Sequence, residues 1–285
     1  MIQPPIAFGL VGNPINKSLS PLMHNAALSY LKIKARYKLF PLEEKELNDF
    51  FANLNKKNIR GLNVTIPYKE KILQCTGGVK NNAVSSIGST NTLVIDNAGR
   101  IKFFNTDYLG FLRHIRELKL KPKKVAIIGA GGAARAVCFA LGKNKAIEVS
   151  IYDIDSFRSL ALMKRFNYIF PDIKFNAAGN IADLRLQDKD LLVNASSVGM
   201  NPKDPLLVNP SMLHPNLFIY DLIYNPKETK LLKLAKEKRL KYSNGLGMLL
   251  YQGAESLNLW IRPKKAPVNV MREALEKACL SKERG

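Results

Sequence analysis

Apolar runs of strand length alternate along the chain with longer segments whose apolar residues recur every three or four positions. The first run, IAFGLVG at residues 6–12, is followed by helical spacing over 21–32. A strand at 36–42 and a helix over 43–54 continue the alternation. Continuous or alternating apolar runs are typical of strands, and 3.6-residue spacing is typical of helices. The opening of the chain is therefore predicted to be an α/β domain.

Further strands extend this first domain. The run IRGLNVT at 59–65 leads into a helix predicted to begin at Pro67, because the fixed φ of proline suits the first helical position. Residues 91–107, NTLVIDNAGRIKFFNTD, read as two strands about a turn at Asn97, Ala98 and Gly99. This part of the chain predicts a sheet with some antiparallel pairing.

A second α/β pattern begins with VAIIG at 125–129 and continues through VSIYD, DLLVNAS and FIYDL. Strands this apolar suit a parallel sheet covered by helices on both faces. From about Leu246 the chain is helical, with one break near Arg262 and Pro263. We therefore predict a two-domain α/β fold: an N-terminal substrate domain of residues 1–106 plus 247–285, to which the C-terminal helices return, and a Rossmann-like dinucleotide domain of residues 107–246.

Composition narrows the class of protein. Apolar residues make up 46% and charged residues 24% of the 285, which is ordinary for a globular protein. No apolar run approaches the roughly 20 residues of a membrane helix, and the N-terminus lacks the pattern of a secretory signal. The three cysteines have neither disulfide nor metal spacing. We expect a cytoplasmic protein with reduced core thiols, no membrane partner and no metal.

The net charge of +21 raises the question of nucleic acid. The basic excess is spread along the whole chain, and its densest cluster, KLKPKK at 119–124, has no aromatic residues interleaved with the lysines. The charge is therefore interpreted as a lysine-rich surface that speeds the arrival of anionic ligands, and nucleic acid is not an expected partner.

The strand at 125–129 runs into a glycine loop that opens a helix. Such a G-x-G-x-x-A loop allows a tight turn and close backbone approach, while the helix N-terminus faces a pyrophosphate. The preceding strand, the following helix and an acidic residue ending the next strand agree with this reading, so a dinucleotide site is predicted. Its loop residues are Gly129, Ala130, Gly131, Gly132 and Ala133.

The acidic residue is Asp153, which is placed to accept hydrogen bonds from both ribose hydroxyls of an adenosine, with Asp155 close by. Two carboxylates repel a 2′-phosphate, so the sequence favours NAD over NADP. Arg158, at the start of the next helix, leaves NADP open.

Two hydroxyls, Ser18 and Ser20, lie just before a predicted helix in the segment GNPINKSLSP. They are suited to bind a polar ligand. Equally, Ser20 fits an N-cap with Pro21 at the first helical position. Both interpretations hold if Ser18 is the residue available to a ligand.

The segment GNPINKSLSPLMHN is followed, in order over almost the whole chain, by NVTIPYK, IGSTNT, NTD with a glycine three residues later, GAGGAARA, NASSVGM, YDLIYNP and NGLGMLLYQGA. This series of motifs is a resemblance to the shikimate dehydrogenase family. It implies a reversible, NAD(P)-dependent reduction of 3-dehydroshikimate to shikimate in aromatic amino-acid biosynthesis. We expect a monomer or a homodimer.

The resemblance also implies roles for residues at matching positions. Lys69 and Asp107 would be catalytic, and the glycine loop would hold the pyrophosphate. Asp153 and Asp155 would lie near the adenine ribose, with Leu222 and Gly245 along the nicotinamide. The substrate-binding residues would be Ser18 and Ser20 at the carboxylate, Thr65, Asn91 and Gln252 with Asp107 at the ring hydroxyls, and Tyr224 flanking the site.

Hydride transfer to a ketone requires a cation and a base near the substrate oxygen, whatever the family of the enzyme. Reduction of a ketone builds negative charge on oxygen, so a nearby cation that can donate a proton lowers the barrier, and the reverse oxidation needs a base. Lys69 with Asp107 supplies both. Lys69 alone would be read as a solvated surface charge, since most lysines are exposed.

Two positions depart from the family pattern. Lys17 stands where histidine is more common, which adds charge and leaves the catalytic pair intact. Asp153-Ile154-Asp155 stands where NADP-using members carry Asn-Arg-Thr, which is similar to the NAD-using quinate/shikimate branch. The Ser-Leu-Ser pair is that of shikimate-specific members, so quinate is an alternative substrate and not the favoured one.

Other readings remain open. A folate or glutamyl-tRNA type of dehydrogenase would keep the glycine loop without NVTIPYK and NTD. A non-catalytic dinucleotide-binding sensor would be expected to lose Lys69 or Asp107, and both are present.

Overall fold

The computed structural model describes residues 6–281, which form two compact units. Unit 1 joins the described residues up to Gly110 to those from Leu249 onward, and unit 2 is Phe111–Met248. The two divisions fall inside helices α5 (Asp107–Glu117) and α9 (Leu246–Trp260), a few residues after the predicted domain boundaries. Asp107 therefore lies in the same unit as Lys69.

Unit 1 contains a mixed six-stranded sheet in the order β2-β1-β3-β5-β6-β4. Strand β1 pairs in parallel with β2 and β3, whereas β5 is antiparallel to both β3 and β6. The β5–β6 hairpin is the pair of strands predicted about the turn at 97–99. The strands are β1 (Ile6–Gly12), β2 (Ala35–Pro41), β3 (Ile59–Val64), β4 (Val79–Lys80), β5 (Thr92–Ile95) and β6 (Ile101–Phe104).

The C-terminal helices return to unit 1, as predicted. Trp260, the last residue of α9, stacks on Phe8 at a centroid distance of 5.0 Å and donates from Nε1 to the Leu93 carbonyl at 2.9 Å. A non-helical segment at the predicted place, residues 261–267, separates α9 from the last helix, and that last helix packs against the first. The helices of this unit, besides α5 and α9, are α1 (Ser20–Tyr30), α2 (Leu47–Ala52), α3 (Ile72–Cys75), α4 (Asn82–Ile87) and α10 (Val268–Ser281).

Unit 2 contains a fully parallel six-stranded sheet in the order β12-β11-β10-β7-β8-β9. Counted from its own first strand, this is the 3-2-1-4-5-6 order of a Rossmann fold, with the direction of winding reversing between β7 and β10. Its elements are β7 (Lys124–Ile128), α6 (Gly132–Lys143), β8 (Glu148–Tyr152), α7 (Ser156–Ile169), β9 (Lys174–Ala177), β10 (Leu191–Asn194), β11 (Phe218–Asp221), α8 (Lys230–Glu237) and β12 (Tyr242–Ser243).

The predicted helix at Pro67 is wrong. Residues 66–71 form turns, and α3 begins only at Ile72 and has four residues. The reason is a long-range hydrogen bond: the Lys69 carbonyl accepts from the Thr90 amide at 2.8 Å. That bond ties the segment to the chain before β5 and places Lys69 in a turn.

Two smaller expectations also need correction. The helix predicted over 43–54 is a 3₁₀ turn at Glu44–Glu46 followed by α2. Of the three cysteines expected in the core, Cys138 is buried, while Cys75 and Cys279 are half-buried. All three are free thiols.

No described helix is both long and apolar enough to cross a membrane. The described residues also bring together no group of three or more His, Cys, Asp or Glu side chains that could hold a metal ion.

The packing of Trp260 gives a stability prediction. A Cβ added at Gly61 on β3 would lie 2.3 Å from Trp260 Nε1. We expect Gly61→Ala to lower the free energy of unfolding by about 1–3 kcal/mol, the usual cost of overpacking a core. Urea unfolding followed by Trp260 fluorescence measures this.

The matched control is Gly77→Ala, because a Cβ there meets no atom within 4 Å. We expect the control to stay within about 0.5 kcal/mol of the wild type. Equal effects of the two substitutions would contradict the assigned packing of Trp260.

Candidate active site

Lys69 and Asp107 form an ion pair in unit 1. Lys69 Nζ donates to Asp107 Oδ2 at 2.6 Å, and the side chains are 15% and 6% exposed. Lys69 lies in the turn after β3, and Asp107 is the first residue of α5. The two residues singled out from the sequence are therefore in contact, although 38 positions separate them.

Asn91 holds the other oxygen of this carboxylate. Its Nδ2 donates to Asp107 Oδ1 at 2.9 Å and to Gln252 Oε1 at 3.0 Å. Its Oδ1 accepts from the Thr106 amide at 2.6 Å. Asn91, Asp107 and Gln252, each predicted to contact the substrate ring, are thus joined by direct hydrogen bonds.

Thr65 directly follows β3, and Ser18 lies in the segment that follows its parallel neighbour β1. The Thr65 amide donates to the Val11 carbonyl at 2.9 Å, and a Cβ on Gly12 would lie 2.5 Å from Thr65 Cγ2. Gly12 therefore allows the two segments to approach closely.

Ser20 is not the N-cap of α1. The helix begins at Ser20, Leu19 occupies the cap position, and no side chain caps the helix. Instead, the Ser20 amide donates to Ser18 Oγ at 3.2 Å, and Ser20 itself is 5% exposed. The N-cap interpretation of Ser20 is wrong. Ser20 is the first residue of the helix, one position after the cap, and its amide is bonded to Ser18.

The predicted dinucleotide loop lies in unit 2, at the switch point of the sheet. Gly129 has φ +101°, and a Cβ there would lie 2.8 Å from the Ser196 amide, so only glycine fits. Gly131 is the extended N-cap of α6, a helix of 12 residues. The geometry fits a pyrophosphate, since a helix N-terminus and a glycine turn face the carboxyl ends of β7 and β10.

Asp153 contacts this loop directly. Its Oδ2 accepts from the Ala130 amide at 2.6 Å and its Oδ1 from the Asp155 amide at 3.0 Å. Asp155 caps α7 by accepting from the Phe157 amide at 3.0 Å. The side chain of Arg158 reaches the same loop, where its Nη2 would lie 3.5 Å from a Cβ on Gly131.

Leu222 and Gly245, the residues expected along the nicotinamide, are in contact in unit 2. A Cβ on Gly245 would lie 1.9 Å from the Leu222 carbonyl oxygen, so the position requires glycine. The Gly245 amide donates to the Ile223 carbonyl at 3.1 Å. Tyr224 follows in the same segment after β11, so it belongs to unit 2, unlike the other residues expected to bind substrate.

Sequence reasoning missed a buried polar group beside Leu222. Asp221, at the end of β11, is 0% exposed and accepts from Thr229 Oγ1 at 2.7 Å, Asn194 Nδ2 at 3.0 Å and the Ile223 amide at 3.0 Å. Desolvation outweighs these hydrogen bonds and raises the pKa of Asp221 to about 6. The only signal in the sequence was an acidic residue ending an apolar strand.

Two family models match this chain. The model of the shikimate dehydrogenase substrate binding domain matches residues 10–93, and that of the shikimate 5'-dehydrogenase C-terminal domain matches 245–276. A relative named shikimate dehydrogenase (NADP(+)), from Methanopyrus kandleri, is 39% identical over 94% of this chain and 93% of its own.

Solved structures of shikimate dehydrogenases are similar to this chain over almost its whole length. A shikimate dehydrogenase crystallised with NADP+ has a TM-score of 0.87 and 33% identity, with 96% of both chains covered. The Listeria monocytogenes shikimate 5-dehydrogenase, crystallised with shikimate and NAD, has a TM-score of 0.83 and 34% identity over 95% of this chain and 96% of that one.

The fold and site define an oxidoreductase with a substrate-binding α/β unit and a Rossmann unit for a nicotinamide dinucleotide. The predicted fold class and enzyme class are confirmed. The chain belongs to the shikimate dehydrogenase family, as its motifs indicate.

The raised pKa of Asp221 gives a prediction for stability against pH. Because the folded-state pKa, about 6, exceeds the usual 3.8, the folded state favours the protonated carboxyl. That stabilisation is complete below pH 3.8 and is lost as the pH rises through 6. Asp221→Asn removes this dependence, so between pH 4.5 and 7.5 the stability of wild type relative to the variant should fall by about 2 kcal/mol in urea unfolding.

Asp204→Asn is the control of opposite sign. Hydrogen bonds from the Gly199 and Asn201 amides hold the pKa of Asp204 below its usual value. Wild type should therefore gain stability relative to this variant only as the pH rises towards 3.8, and the difference between the two should stay nearly constant between pH 4.5 and 7.5. A difference between wild type and Asp221→Asn that stays constant across the pH range would contradict the assignment.

Proposed function

We propose that this chain catalyses the reversible, NAD(P)-dependent reduction of 3-dehydroshikimate to shikimate, a step of aromatic amino-acid biosynthesis. The observation that carries the proposal is the Lys69–Asp107 ion pair, 2.6 Å long and largely buried, with Asn91 and Gln252 hydrogen-bonded around it. A surface lysine would not be held in this way.

In the oxidation direction, a ring carbon of shikimate loses hydride and its hydroxyl loses a proton, which gives the ketone. The proton passes to the Lys69–Asp107 pair, and from there to solvent. In the reduction direction the Lys69 ammonium faces the oxygen on which negative charge develops and returns the proton. Asp107 keeps Lys69 at that position through the bond to Oδ2.

Polar side chains of unit 1 suit the remaining groups of shikimate. The hydroxyls of Ser18 and Ser20 lie at the positive end of the α1 dipole, which favours a carboxylate. Thr65, Asn91 and Gln252 supply donors and acceptors for ring hydroxyls. Tyr224, from unit 2, is proposed to flank the substrate.

When bound, the nicotinamide dinucleotide accepts or supplies the hydride. Gly129, Gly131 and the N-terminus of α6 would hold its pyrophosphate, and Leu222 with Gly245 would line its nicotinamide side. The fit rests on positions where a Cβ would collide with neighbouring backbone, at Gly129 and Gly245.

The residues that follow β8 bear on the choice between NAD and NADP. The curated relatives are named for NADP(+) and do not favour NAD. In this chain, however, the Asp153 carboxylate contacts the glycine loop and Asp155 adds a second carboxylate at the start of α7, and both repel a 2′-phosphate. We therefore propose NAD as the preferred cofactor, with Arg158 as the group that allows NADP.

A cytoplasmic location, a monomeric or homodimeric state and the absence of nucleic-acid binding stay predictions. Use of quinate also stays a prediction, and it is measured with the same assay.

Replacement of Lys69 tests the reaction. We expect Lys69→Ala to reduce kcat for shikimate oxidation by roughly 10²–10⁴-fold, the usual contribution of a positioned acid or base. Lys71→Ala is the control, because Lys71 is two residues further on, half-exposed and paired with Glu44. The initial rate of reduced nicotinamide formation is measured, and a Lys69→Ala enzyme with unchanged kcat would exclude the proposed role.

The cofactor proposal has its own test. Wild type should show a higher kcat/KM with NAD than with NADP, and Asp153→Asn should lower the NAD to NADP ratio by roughly tenfold, because the variant removes a charge and keeps an acceptor for the Ala130 amide. Asp172→Asn, an exposed carboxylate of the same unit, should leave the ratio unchanged. A wild-type preference for NADP would overturn this choice while leaving the proposed reaction intact.

A further inference from the structure

Ser256 is a fully buried hydroxyl on α9 that the reaction scheme does not use. It lies one helical turn after Gln252, and its Oγ donates to the Gln252 carbonyl at 2.9 Å. The same oxygen lies 2.9 Å from Asn63 Nδ2, 2.8 Å from Thr92 Oγ1 and 2.9 Å from Thr106 Oγ1. One hydroxyl thus joins α9 to β3, to β5 and to the segment before α5.

We propose that Ser256 is a positioning residue for the reaction: it holds Thr106 and Asn91, and through them the Asp107 carboxylate and the Gln252 side chain. Ser256 itself contacts neither of the two catalytic side chains. The inference rests on the proposed function, since it concerns the alignment of the same pair.

The path from Ser256 to Asp107 passes through two residues, Thr106 and Asn91. Thr106 Oγ1 contacts Asn91 Nδ2 at 2.9 Å, and the Thr106 amide donates to Asn91 Oδ1 at 2.6 Å. Asn91 Nδ2 in turn donates to Asp107 Oδ1 at 2.9 Å. Because Thr106 also precedes Asp107 in the chain, a shift of Thr106 moves both the carboxylate and its donor.

Counting donors and acceptors explains why the loss of Ser256 would spread. A hydroxyl has one proton and two lone pairs. With its proton on the Gln252 carbonyl, Ser256 Oγ can accept from Asn63 and from one threonine. Without the Ser256 hydroxyl, the threonine hydroxyl has to donate to Asn91 Oδ1 instead. That oxygen already accepts from the Thr106 amide.

The far side of the network is uncharged. Tyr37 donates from its hydroxyl to Asn63 Oδ1 at 2.8 Å, and His24 stacks on the Tyr37 ring at a centroid distance of 4.3 Å. Burial lowers the pKa of His24 to about 3, so this imidazole is neutral at pH 7. The four partners of Ser256 are likewise neutral, so its contribution is orientation rather than charge.

Ser159 provides a matched control. It is also a fully buried helical serine, on α7 in unit 2, and its Oγ donates to the Ser156 carbonyl at 2.9 Å. Ser159→Ala therefore reports the cost of deleting a buried helical hydroxyl remote from the network around Asp107.

The experiment compares Ser256→Ala, Ser159→Ala and wild type. We expect Ser256→Ala to lower kcat/KM for shikimate by roughly tenfold, to leave KM for the cofactor within about twofold, and to move the pH midpoint of the kcat profile by about half a unit or more. Ser159→Ala should change none of these. If Ser256→Ala does not fold, Ser256→Cys, which keeps the volume and a weak donor, should show an intermediate loss.

Unchanged kcat/KM and pH profile in Ser256→Ala, with a loss of Tm like that of Ser159→Ala, would overturn the inference. An equal rise in KM for shikimate and for the cofactor would do the same, because it indicates general loosening. If wild type itself fails to oxidise shikimate, the proposed function fails separately. The inference is then decided by ¹³C NMR titration of Asp107: a midpoint that differs between wild type and Ser256→Ala supports it, and identical curves contradict it.

Discussion

The Asp107 carboxylate is 6% exposed, and a buried carboxylate is stable only when donors surround it. The donors come from separate parts of the chain: Lys69 from the turn after β3 and Asn91 from the residue before β5. The Asn105 side chain accepts from the Asp107 amide and orders the start of α5. Gln252, on α9, accepts from Asn91 and so helps to orient it. The C-terminal helices therefore have to return to the first unit for the pair to be held.

This constraint connects fold and chemistry. The Lys69 carbonyl is bonded to the Thr90 amide, so Lys69 sits in a turn and its side chain can reach Asp107. In unit 2 a different constraint acts, because Gly129 and Gly245 leave no room for a Cβ beside neighbouring backbone. One unit thus provides a positioned proton carrier, and the other provides backbone surfaces shaped for a dinucleotide.

Much of the fold could be predicted, because most strands of both units are apolar runs with clear boundaries. The errors occurred where one hydrogen bond overrides the preference of the local residues. The Thr90 amide, distant in sequence, bonds the Lys69 carbonyl where a helix was predicted from Pro67. The Ser20 amide donates to Ser18, two residues away, and Ser20 is not the cap. Strands β4 and β12, each two residues long, have no apolar pattern to reveal them.

The site was predictable to the extent that its residues stand in contiguous motifs. Lys69 and Asp107 were singled out in this way, and the structure brings them into contact. Asp221 and Ser256 were missed, since their residue types are ordinary for a strand end and a helix interior. Each also has a partner distant in sequence, Asn194 for Asp221 and Asn63 for Ser256. Such residues become visible only when the hydrogen bonds of buried polar groups are counted.

The central claim is that the Lys69 amino group carries the proton to and from the substrate oxygen. Chemical rescue tests it most directly: the single-turnover rate of shikimate oxidation by Lys69→Ala is measured with added primary amines of increasing pKa. The account predicts that the rate rises with amine concentration and follows amine basicity, while tetramethylammonium, which has no transferable proton, gives no rescue. Equal stimulation by tetramethylammonium would show that Lys69 contributes charge alone and would contradict the account.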